Sequence, residues 1–149
     1  MKISTKGRYG LRILLDLATH VSEKPRLIRD IAASQQISEK YISRLIVDLR
    51  RARLVRSVRG ANGGFHLAKS PKEITLLEIL ETMEGTISIV DCILTPEKCP
   101  RNRTCTARGI WTNLNEGIRD MMRKITFEDI IKAYTSSENS GDQDIDYCI

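Results

Sequence analysis

Apolar residues recur at intervals of three and four along most of the chain, a pattern that predicts a mainly helical protein. In the first such segment Leu11, Leu14, Leu15 and Ala18 fall at positions i, i+3, i+4 and i+7 and form one apolar face. Similar stripes continue to about residue 134. The predicted helices cover residues 5–21, 28–35, 39–52, 75–84, about 105–124 and 126–134.

The second and third predicted helices are separated by a short turn, Gln36-Ile37-Ser38. Ser38 is a favourable N-cap for the third helix, and Ile37 can pack against Ile42 as a hydrophobic staple. Two helices joined in this way, the second of them basic, predict a helix-turn-helix. The turn lacks the glycine that is often found there.

The pattern changes after the third helix. Residues 54–58 and 64–67 are short runs typical of strands, and Asn62-Gly63 lies in the segment that links them. Asn-Gly between two such runs is a strong signal for a β-hairpin. The predicted fold class is therefore mostly α: a winged helix-turn-helix with a small β-hairpin wing, plus a long C-terminal dimerisation helix.

The long helix begins near Cys105 or Thr106 and carries apolar residues at spacings of 3, 4, 3 and 4, as in a coiled-coil seam. Residues 1–83 have enough apolar faces to form a core of their own. We therefore predict that the seam joins two copies in a homodimer, with packing inside one chain as the alternative. The predicted seam consists of Trp111, Leu114, Ile118, Met121 and Ile125.

Composition divides the chain into four segments. The last of them is acidic and rich in Gly and Ser, and it is predicted to be disordered because it has no core-forming pattern. The predicted organisation is a DNA-binding domain at residues 1–84, a cysteine-bearing sensor loop at 85–105, dimerisation helices at 106–134 and a disordered tail at 135–149.

Charge is distributed unevenly along the 149 residues. The net charge is +5, but residues 1–69 alone hold 15 Lys and Arg against 5 Asp and Glu. A basic half predicts a partner rich in phosphate, and beside a helix-turn-helix that partner is double-stranded DNA. A basic surface that is only solvated is the plainer alternative.

The N-terminal part of a recognition helix meets base edges, and a wing arginine can enter a minor groove. Arg44 could bind a guanine, and Lys40 a guanine or a phosphate. Lys6 and Arg8 stand at the start of the first helix, where the helix dipole disfavours cations and a DNA phosphate would compensate. For each residue, contact with phosphate or solvent is the alternative to base readout. The predicted DNA-binding residues are Lys6, Arg8, Ser38, Lys40, Tyr41, Arg44, Arg56 and Arg59.

Three of the four cysteines, Cys92, Cys99 and Cys105, lie close together as C-x6-C-x5-C. Pro96 and Pro100 interrupt any helix there, so the thiols occupy a polar loop. Thiolates suit iron–sulfur clusters, and the spacing differs from the paired C-x2-4-C of a zinc knuckle. We therefore predict an iron–sulfur cluster, either 2Fe–2S or 4Fe–4S, with three ordinary loop thiols as the alternative.

Other classes of protein are disfavoured by the sequence. No signal peptide or long apolar run is visible, which predicts a cytoplasmic protein without membrane contact. No nucleophile accompanies His20 or His66, and no glycine loop has a recognised phosphate-binding spacing. We therefore predict that the protein is not an enzyme and that both histidines are structural.

Together these motifs resemble a family of winged-helix regulators typified by the iron–sulfur cluster regulator IscR, with NsrR, RirA and CymR as relatives. The resemblance rests on residues 1–10 (MKISTKGRYG), residues 37–41 (ISEKY) of the recognition helix and residues 58–65 (VRGANGGF) of the wing, and it extends to Tyr134. It implies a homodimeric DNA-binding protein, and we predict that this protein is a transcriptional repressor. It also implies that the three loop cysteines hold a cluster that senses iron–sulfur status, oxidation or nitric oxide.

Two departures from the family pattern leave the fourth cluster ligand open. IscR has a histidine three residues after the last cysteine, where this chain has Arg108. NsrR-like proteins can use an aspartate near the start of the first helix, where this chain has Arg8. A guanidinium is not an ordinary metal ligand. Asp91, Glu97, a residue of the other subunit or an exchangeable small molecule could complete the site.

The final residues, Asp146-Tyr147-Cys148-Ile149, resemble the isoleucine-ending tail with which serine acetyltransferases enter the active site of cysteine synthase. CymR is similar in ending with an isoleucine and binding that enzyme. The alternative function is therefore a cluster-free regulator of cysteine metabolism that binds cysteine synthase through Tyr147, Cys148 and Ile149. A tail without a partner is the plainer interpretation.

Overall fold

The computed structural model describes residues 2–20, 24–60 and 63–139 of the chain. Within these residues the fold is mainly helical, with one two-stranded antiparallel hairpin and short 3-10 helices at Pro71–Glu73 and Pro96–Lys98. The helices are α1 (Thr5–Thr19), α2 (Ile28–Gln35), α3 (Glu39–Arg51), α4 (Leu76–Glu84), α5 (Asp91–Leu94), α6 (Arg108–Lys124) and α7 (Phe127–Asn139).

The predicted helix-turn-helix is formed by α2 and α3. Ser38 caps α3, because its hydroxyl accepts a hydrogen bond from Tyr41 N at 3.3 Å. The turn closes without a glycine because Gln36 itself adopts a left-handed φ of 54°. The burial of Ile37 beside it stabilises the fold by about 1.5–3 kcal/mol. This offsets the backbone strain of Gln36, which costs about 1–2 kcal/mol.

One apolar core lies between α1, α3 and α4, and the hairpin and α2 also contribute to it. Its central side chains come from residues that the helical periodicity placed on single faces. The fully buried members include Ile13 and Leu14 of α1, Ile31 of α2, Ile42 and Leu49 of α3, Ile79 of α4, and Leu54 and Ile74 from the connecting segments.

The wing consists of β1 (Val55–Val58) and β2 (Gly64–Leu67), paired so that Val55 lies opposite Leu67 and Val58 opposite Gly64. The backbone of Arg26 continues this sheet by exchanging hydrogen bonds with Phe65 at 3.0 and 2.9 Å. A Cβ on Gly64 would lie 2.7 Å from the Arg26 carbonyl oxygen, so the close approach requires a glycine. The wing is thereby fixed to the segment that precedes α2.

A buried carboxylate on α1 joins several segments. Asp16 is 1% exposed and accepts hydrogen bonds from Arg26 Nε at 2.8 Å, Gln35 Nε2 at 3.2 Å and the Ser34 hydroxyl. Burial by itself raises the pKa of Asp16, but these hydrogen bonds and the charge of Arg26 together lower it below its ordinary value. Sequence reasoning missed this residue, whose signal is a lone acid inside the apolar run 13–17.

Helix α6 lies against α4 around a smaller apolar cluster, and α7 then returns to the main core. Phe127 of α7 is fully buried in that core, and its N–H donates to the Ile74 carbonyl at 2.8 Å. The core expected for residues 1–83 alone is therefore incomplete without α7. The smaller cluster consists of Leu77, Leu80, Ile87 and Met122.

The disorder predicted from residue 135 onward is wrong for residues 135–139, which continue α7. The hydroxyls of Thr135 and Ser136 donate to backbone carbonyls four residues earlier, at 3.1 and 2.8 Å. On a solvated helix face, hydroxyl side chains can satisfy their hydrogen-bonding groups in this way. Residues 140–149, which include the predicted partner-binding residues Tyr147, Cys148 and Ile149, lie outside the described residues.

Membrane insertion was not expected from the sequence. Over the described ranges, each helix is too short or too polar to cross a bilayer.

Replacing Phe127 by Ala is expected to lower the free energy of unfolding by about 3–5 kcal/mol, because it leaves a cavity in the main core. Val47→Ala, at a position of α3 that is 51% exposed, is the control, with an expected change below about 0.5 kcal/mol. Urea denaturation at one protein concentration measures both variants. Equally small losses would show that α7 is not part of this core.

Asp16→Asn is expected to lower the free energy of unfolding at neutral pH by about 1–3 kcal/mol, because an amide is a weaker acceptor than the buried carboxylate for its three side-chain donors. The folded-state pKa of Asp16 lies below that of the unfolded chain, so its contribution is present above the unfolded pKa and is lost as pH falls through the folded pKa. The difference in free energy of unfolding between the wild type and the variant should therefore narrow only below the ordinary pKa of 3.8.

Urea denaturation over a series of pH values measures this gap. Asp30→Asn is the matched control, because the Asp30 side chain is 42% exposed and its replacement should change stability little. A gap that stays constant below the ordinary carboxyl pKa would contradict the role assigned to the Asp16 charge.

Candidate DNA-binding surface and cysteine loop

The outer face of α3 is basic. Lys40 and Arg44, one helical turn apart, are both exposed. Tyr41 is half-buried, and its ring meets that of Tyr9 edge to face with centroids 5.9 Å apart. Of the side chains predicted near this helix start, Lys40 and Arg44 therefore extend into solvent, whereas Ser38 and Tyr41 also hold the helix in position.

The two cations predicted at the start of α1 differ in their surroundings. Lys6 Nζ lies 2.9 Å from Asp48 Oδ2, which joins α1 to α3. Arg8 is exposed, and its Nη2 donates to Thr5 Oγ1 at 3.2 Å. Lys6 is thus a link between helices as well as a candidate DNA contact, whereas Arg8 presents its guanidinium to solvent.

The two wing arginines are both exposed. Arg56 lies in β1 opposite His66, and Arg59 follows the end of β1. Gly60 then turns the chain with a φ of 106°, a conformation that favours glycine. Residues 61–62, at the tip of the wing, lie outside the described residues.

Arg12, which sequence reasoning did not select, connects α1 to the last residue of α2, Gln35. Its Nε donates to Gln35 Oε1 at 3.1 Å, and its Nη2 donates to the Gln35 carbonyl at 2.5 Å. The guanidinium also lies 5.3 Å from the centre of the Tyr9 ring, as a cation–π contact. The i, i+3 spacing of Tyr9 and Arg12 is the sequence signal that could have indicated this contact.

The three predicted cluster cysteines lie in different local structures of one loop. Cys92 is in α5, Cys99 ends the 3-10 helix Pro96–Lys98, and Cys105 precedes α6. All three are half-buried and are not in disulfides. Arg108, at the position of the histidine ligand of IscR, donates to the Asn102 carbonyl at 3.5 Å.

Within the described ranges, no group of three or more His, Cys, Asp or Glu side chains could hold a metal ion. In this arrangement the three thiols therefore do not converge on a single metal-ion site, and Asp91 and Glu97 do not complete one with them.

The start of this loop is fixed between α4 and α6. The Ile89 N–H donates to Asn115 Oδ1 at 3.1 Å, and Asn115 is 3% exposed. Arg119 donates to the Ile87 carbonyl at 3.2 Å and pairs with Glu81 of α4. A buried amide that satisfies a loop N–H is costly to disrupt, so the loop follows the two helices closely.

Another face of α6 exposes large apolar side chains. Ile118 of the predicted seam instead packs against the small cluster on α4, and Ile125 is half-buried. Contiguous exposed apolar residues mark interaction surfaces. The exposed members are Ile110, which was not predicted, with Trp111, Leu114 and Met121 from the predicted seam.

Comparison with known proteins agrees with this architecture. The family described as "Rrf2: Iron-dependent Transcriptional regulator" matches residues 3–133. The HTH-type transcriptional regulator CymR of Bacillus subtilis (strain 168) is 38% identical over 141 residues, which cover 95% of this chain and 96% of that protein.

Two solved structures show the same fold. The structure of CymR (YrzC), the global cysteine regulator of B. subtilis, matches with a TM-score of 0.75 and 35% identity, over 89% of this chain and 98% of that one. T. potens IscR matches with a TM-score of 0.72 and 33% identity, over 93% and 91% of the two chains.

These matches confirm the resemblance and the predicted fold class. They also confirm that the chain is not an enzyme, because its relatives are transcriptional regulators. Both IscR and CymR are among the similar proteins, so the comparisons support DNA binding and transcriptional control for either type. The chain belongs to the Rrf2 family of transcriptional regulators.

Proposed function

We propose that the chain acts as a homodimeric repressor whose affinity for operator DNA depends on the chemical state of the cysteine loop. The observation that carries this proposal is the position of the loop. Three half-buried, unpaired cysteines lie on the segment that joins α4 of the DNA-binding unit to α6, and that segment is bonded to both helices.

In this proposal α3 enters the major groove and the wing lies over the adjacent minor groove. Arg44 reads a guanine edge, because a guanidinium can donate two parallel hydrogen bonds to it. Lys40 and Arg8 contact phosphates, and Arg56 and Arg59 of the wing contact the minor groove or its phosphates. Those five side chains are exposed, which supports these assignments.

Lys6, Ser38 and Tyr41 have a second role in the proposed complex. Each is held by a contact inside the chain, to Asp48, to the start of α3 and to Tyr9 respectively. We propose that they contact DNA from these fixed positions and so set the orientation of α3.

The proposed dimer is formed through the exposed apolar face of α6. Pairing two copies of this face would remove Trp111, Leu114 and Met121 from water, which at about 25 cal/mol per Å² is a strong driving force. A two-fold dimer would present two recognition helices to half-sites about one turn of DNA apart.

One candidate for the state of the loop is an iron–sulfur cluster held by Cys92, Cys99 and Cys105. Thiolates are suitable ligands for such a cluster, and the similarity to IscR supports this candidate. When bound, the cluster would supply a group that responds to oxidation or nitric oxide.

The second candidate is a cluster-free regulator of cysteine metabolism. The similarity to the global cysteine regulator of B. subtilis favours it. In this case the tail residues Tyr147, Cys148 and Ile149 would bind cysteine synthase.

Under either candidate, control requires two arrangements of the dimer that differ in affinity for DNA. The loop state can shift their equilibrium only by as much as it stabilises one arrangement over the other.

Arg44→Ala is expected to weaken binding of a selected DNA site by about 1–3 kcal/mol and to relax the preference at one base pair, because it removes a base contact. Lys40→Ala should weaken binding to all sequences alike and lower the salt slope by about 1. Fluorescence anisotropy at several salt concentrations, with DNA selected from a random pool, measures both.

Lys132→Ala is the control for these variants. Lys132 lies on α7 and is paired with Glu128 at 2.8 Å, so its removal should leave DNA affinity unchanged. If Arg44→Ala bound the selected site as tightly as the wild type, the proposed docking of α3 would be wrong.

Visible and electron-paramagnetic-resonance spectra of protein purified without oxygen distinguish the two candidates for the loop. A cluster that depends on the loop should give a signal, with iron and sulfide in proportion to protein, that is lost in Cys92→Ser, Cys99→Ser and Cys105→Ser. Cys148→Ser is the control and should keep it.

A colourless protein that takes up no iron on reconstitution would exclude the cluster. Calorimetric titration of cysteine synthase with the intact chain, and with a chain that lacks residues 147–149, would then test the second candidate. Equal affinity of the two chains, or no binding by either, would reject it.

A further inference from the structure

We infer that Glu84 is a positioning residue that connects the cysteine loop to the recognition helix through the start of α1. This inference rests on the proposed control of DNA binding by the loop, and it identifies the route by which the loop acts.

Glu84 is the last residue of α4, and one oxygen of its carboxylate holds the start of α1. Glu84 Oε1 accepts hydrogen bonds from Ser4 N at 3.0 Å, Ser4 Oγ at 2.8 Å and Gly7 N at 2.9 Å. The amides of a first helical turn lack partners within the helix, and the helix dipole favours a carboxylate there. Ser4 Oγ already caps Lys6 N at 3.0 Å, so Glu84 adds bonds between helices beyond an ordinary cap.

Two glycines allow this close approach of α4 to α1. A Cβ on Gly7 would lie 2.4 Å from Glu84 Oε1, and a Cβ on Gly10 would lie 2.6 Å from Met83 Cγ and Sδ. Either methyl group would force its neighbour to move. The last turn of α4 therefore lies directly against the first two turns of α1.

The same two turns of α1 hold the recognition helix. Lys6 pairs with Asp48, in the second half of α3, at 2.9 Å. The ring of Tyr9 contacts that of Tyr41 in the first turn of α3. A displacement of the start of α1 therefore acts on α3 at both of these points, so α3 would move as a whole.

On its other side Glu84 adjoins the cysteine loop. Gly85 follows it directly with a φ of 83°. The Ile87 N–H then donates to Glu81 Oε1 at 3.1 Å, and Arg119 donates to the Ile87 carbonyl at 3.2 Å. Because these bonds fasten the start of the loop to the last turn of α4, a rearrangement at the cysteines displaces the turn that holds α1.

Hydrogen–deuterium exchange of the full chain, read by mass spectrometry, tests this route. Every sample carries Cys148→Ser, so that N-ethylmaleimide modifies only the three loop cysteines, and intact mass verifies three adducts. The readout is the change in amide exchange of residues 39–51 on modification. Affinity for the selected DNA site is measured in parallel.

Glu84→Ala is the main variant, because it removes the carboxylate. Glu78→Ala is the matched control, since Glu78 is also an α4 glutamate but pairs with Lys69 at 2.6 Å. Gly7→Ala is a second variant, which displaces the carboxylate without truncating it and provides the readout if Glu84→Ala does not melt cooperatively.

In the parent chain and in Glu78→Ala, modification should change exchange in residues 39–51 by about fivefold or more, a coupling of ordinary allosteric size. In Glu84→Ala and Gly7→Ala the change should fall below about twofold while the loop itself still responds. If Glu84 were only a structural cap, its removal would alter amide exchange in the unmodified protein. It would not alter the change in exchange of residues 39–51 that modification causes.

Two results would overturn this inference but leave the proposed control of DNA binding by the loop standing. One is an undiminished response of residues 39–51 in Glu84→Ala. The other is a parent chain whose DNA affinity changes on modification while exchange in residues 39–51 does not. If modification altered neither DNA affinity nor exchange in the parent chain, the proposed control by the loop would fail together with the inference.

Discussion

The buried carboxylate of Asp16 is the constraint on which the DNA-binding unit depends. A buried charge without partners costs several kcal/mol, so its donors must be in place whenever α1 is folded. Those donors are Arg26, Ser34 and Gln35, and the Arg26 backbone also pairs with β2. The end of α2 and the wing therefore take one arrangement relative to α1. DNA meets a frame that is already ordered, which reduces the entropy that binding must overcome.

The same frame determines which basic residues are available to a partner. Lys6, Arg12 and Arg26 donate to acceptors within the chain, whereas Lys40 and Arg44 extend into solvent. Part of the positive charge counted in the N-terminal half is thus neutralised internally. The outward-facing cations include those on the outer face of α3 and on the wing, which the charge count alone would not have located.

What the sequence predicted correctly is set by local periodicity, and what it missed depends on contacts between distant segments. The spacing of apolar residues was sufficient to assign α2 and α3. It also predicted that Lys40 and Arg44 lie on the exposed face of α3. Phe127 belongs to the main core only because α7 returns to α1, and no local pattern encodes that return. The cysteine spacing located three thiols in one loop. The start of that loop is held by a buried amide, Asn115, which lies far along the chain from Ile89.

The two faces of α6 link the loop to the subunit interface that we propose. One face holds the loop through Asn115 and Arg119, and the other exposes Trp111 and Leu114. A rigid helix cannot shift to suit one contact without shifting the other. A change at the cysteines would therefore alter how two copies meet as well as how α1 is held. In the proposed mechanism, the loop would therefore act on the spacing between the two recognition helices more than on the affinity of either one.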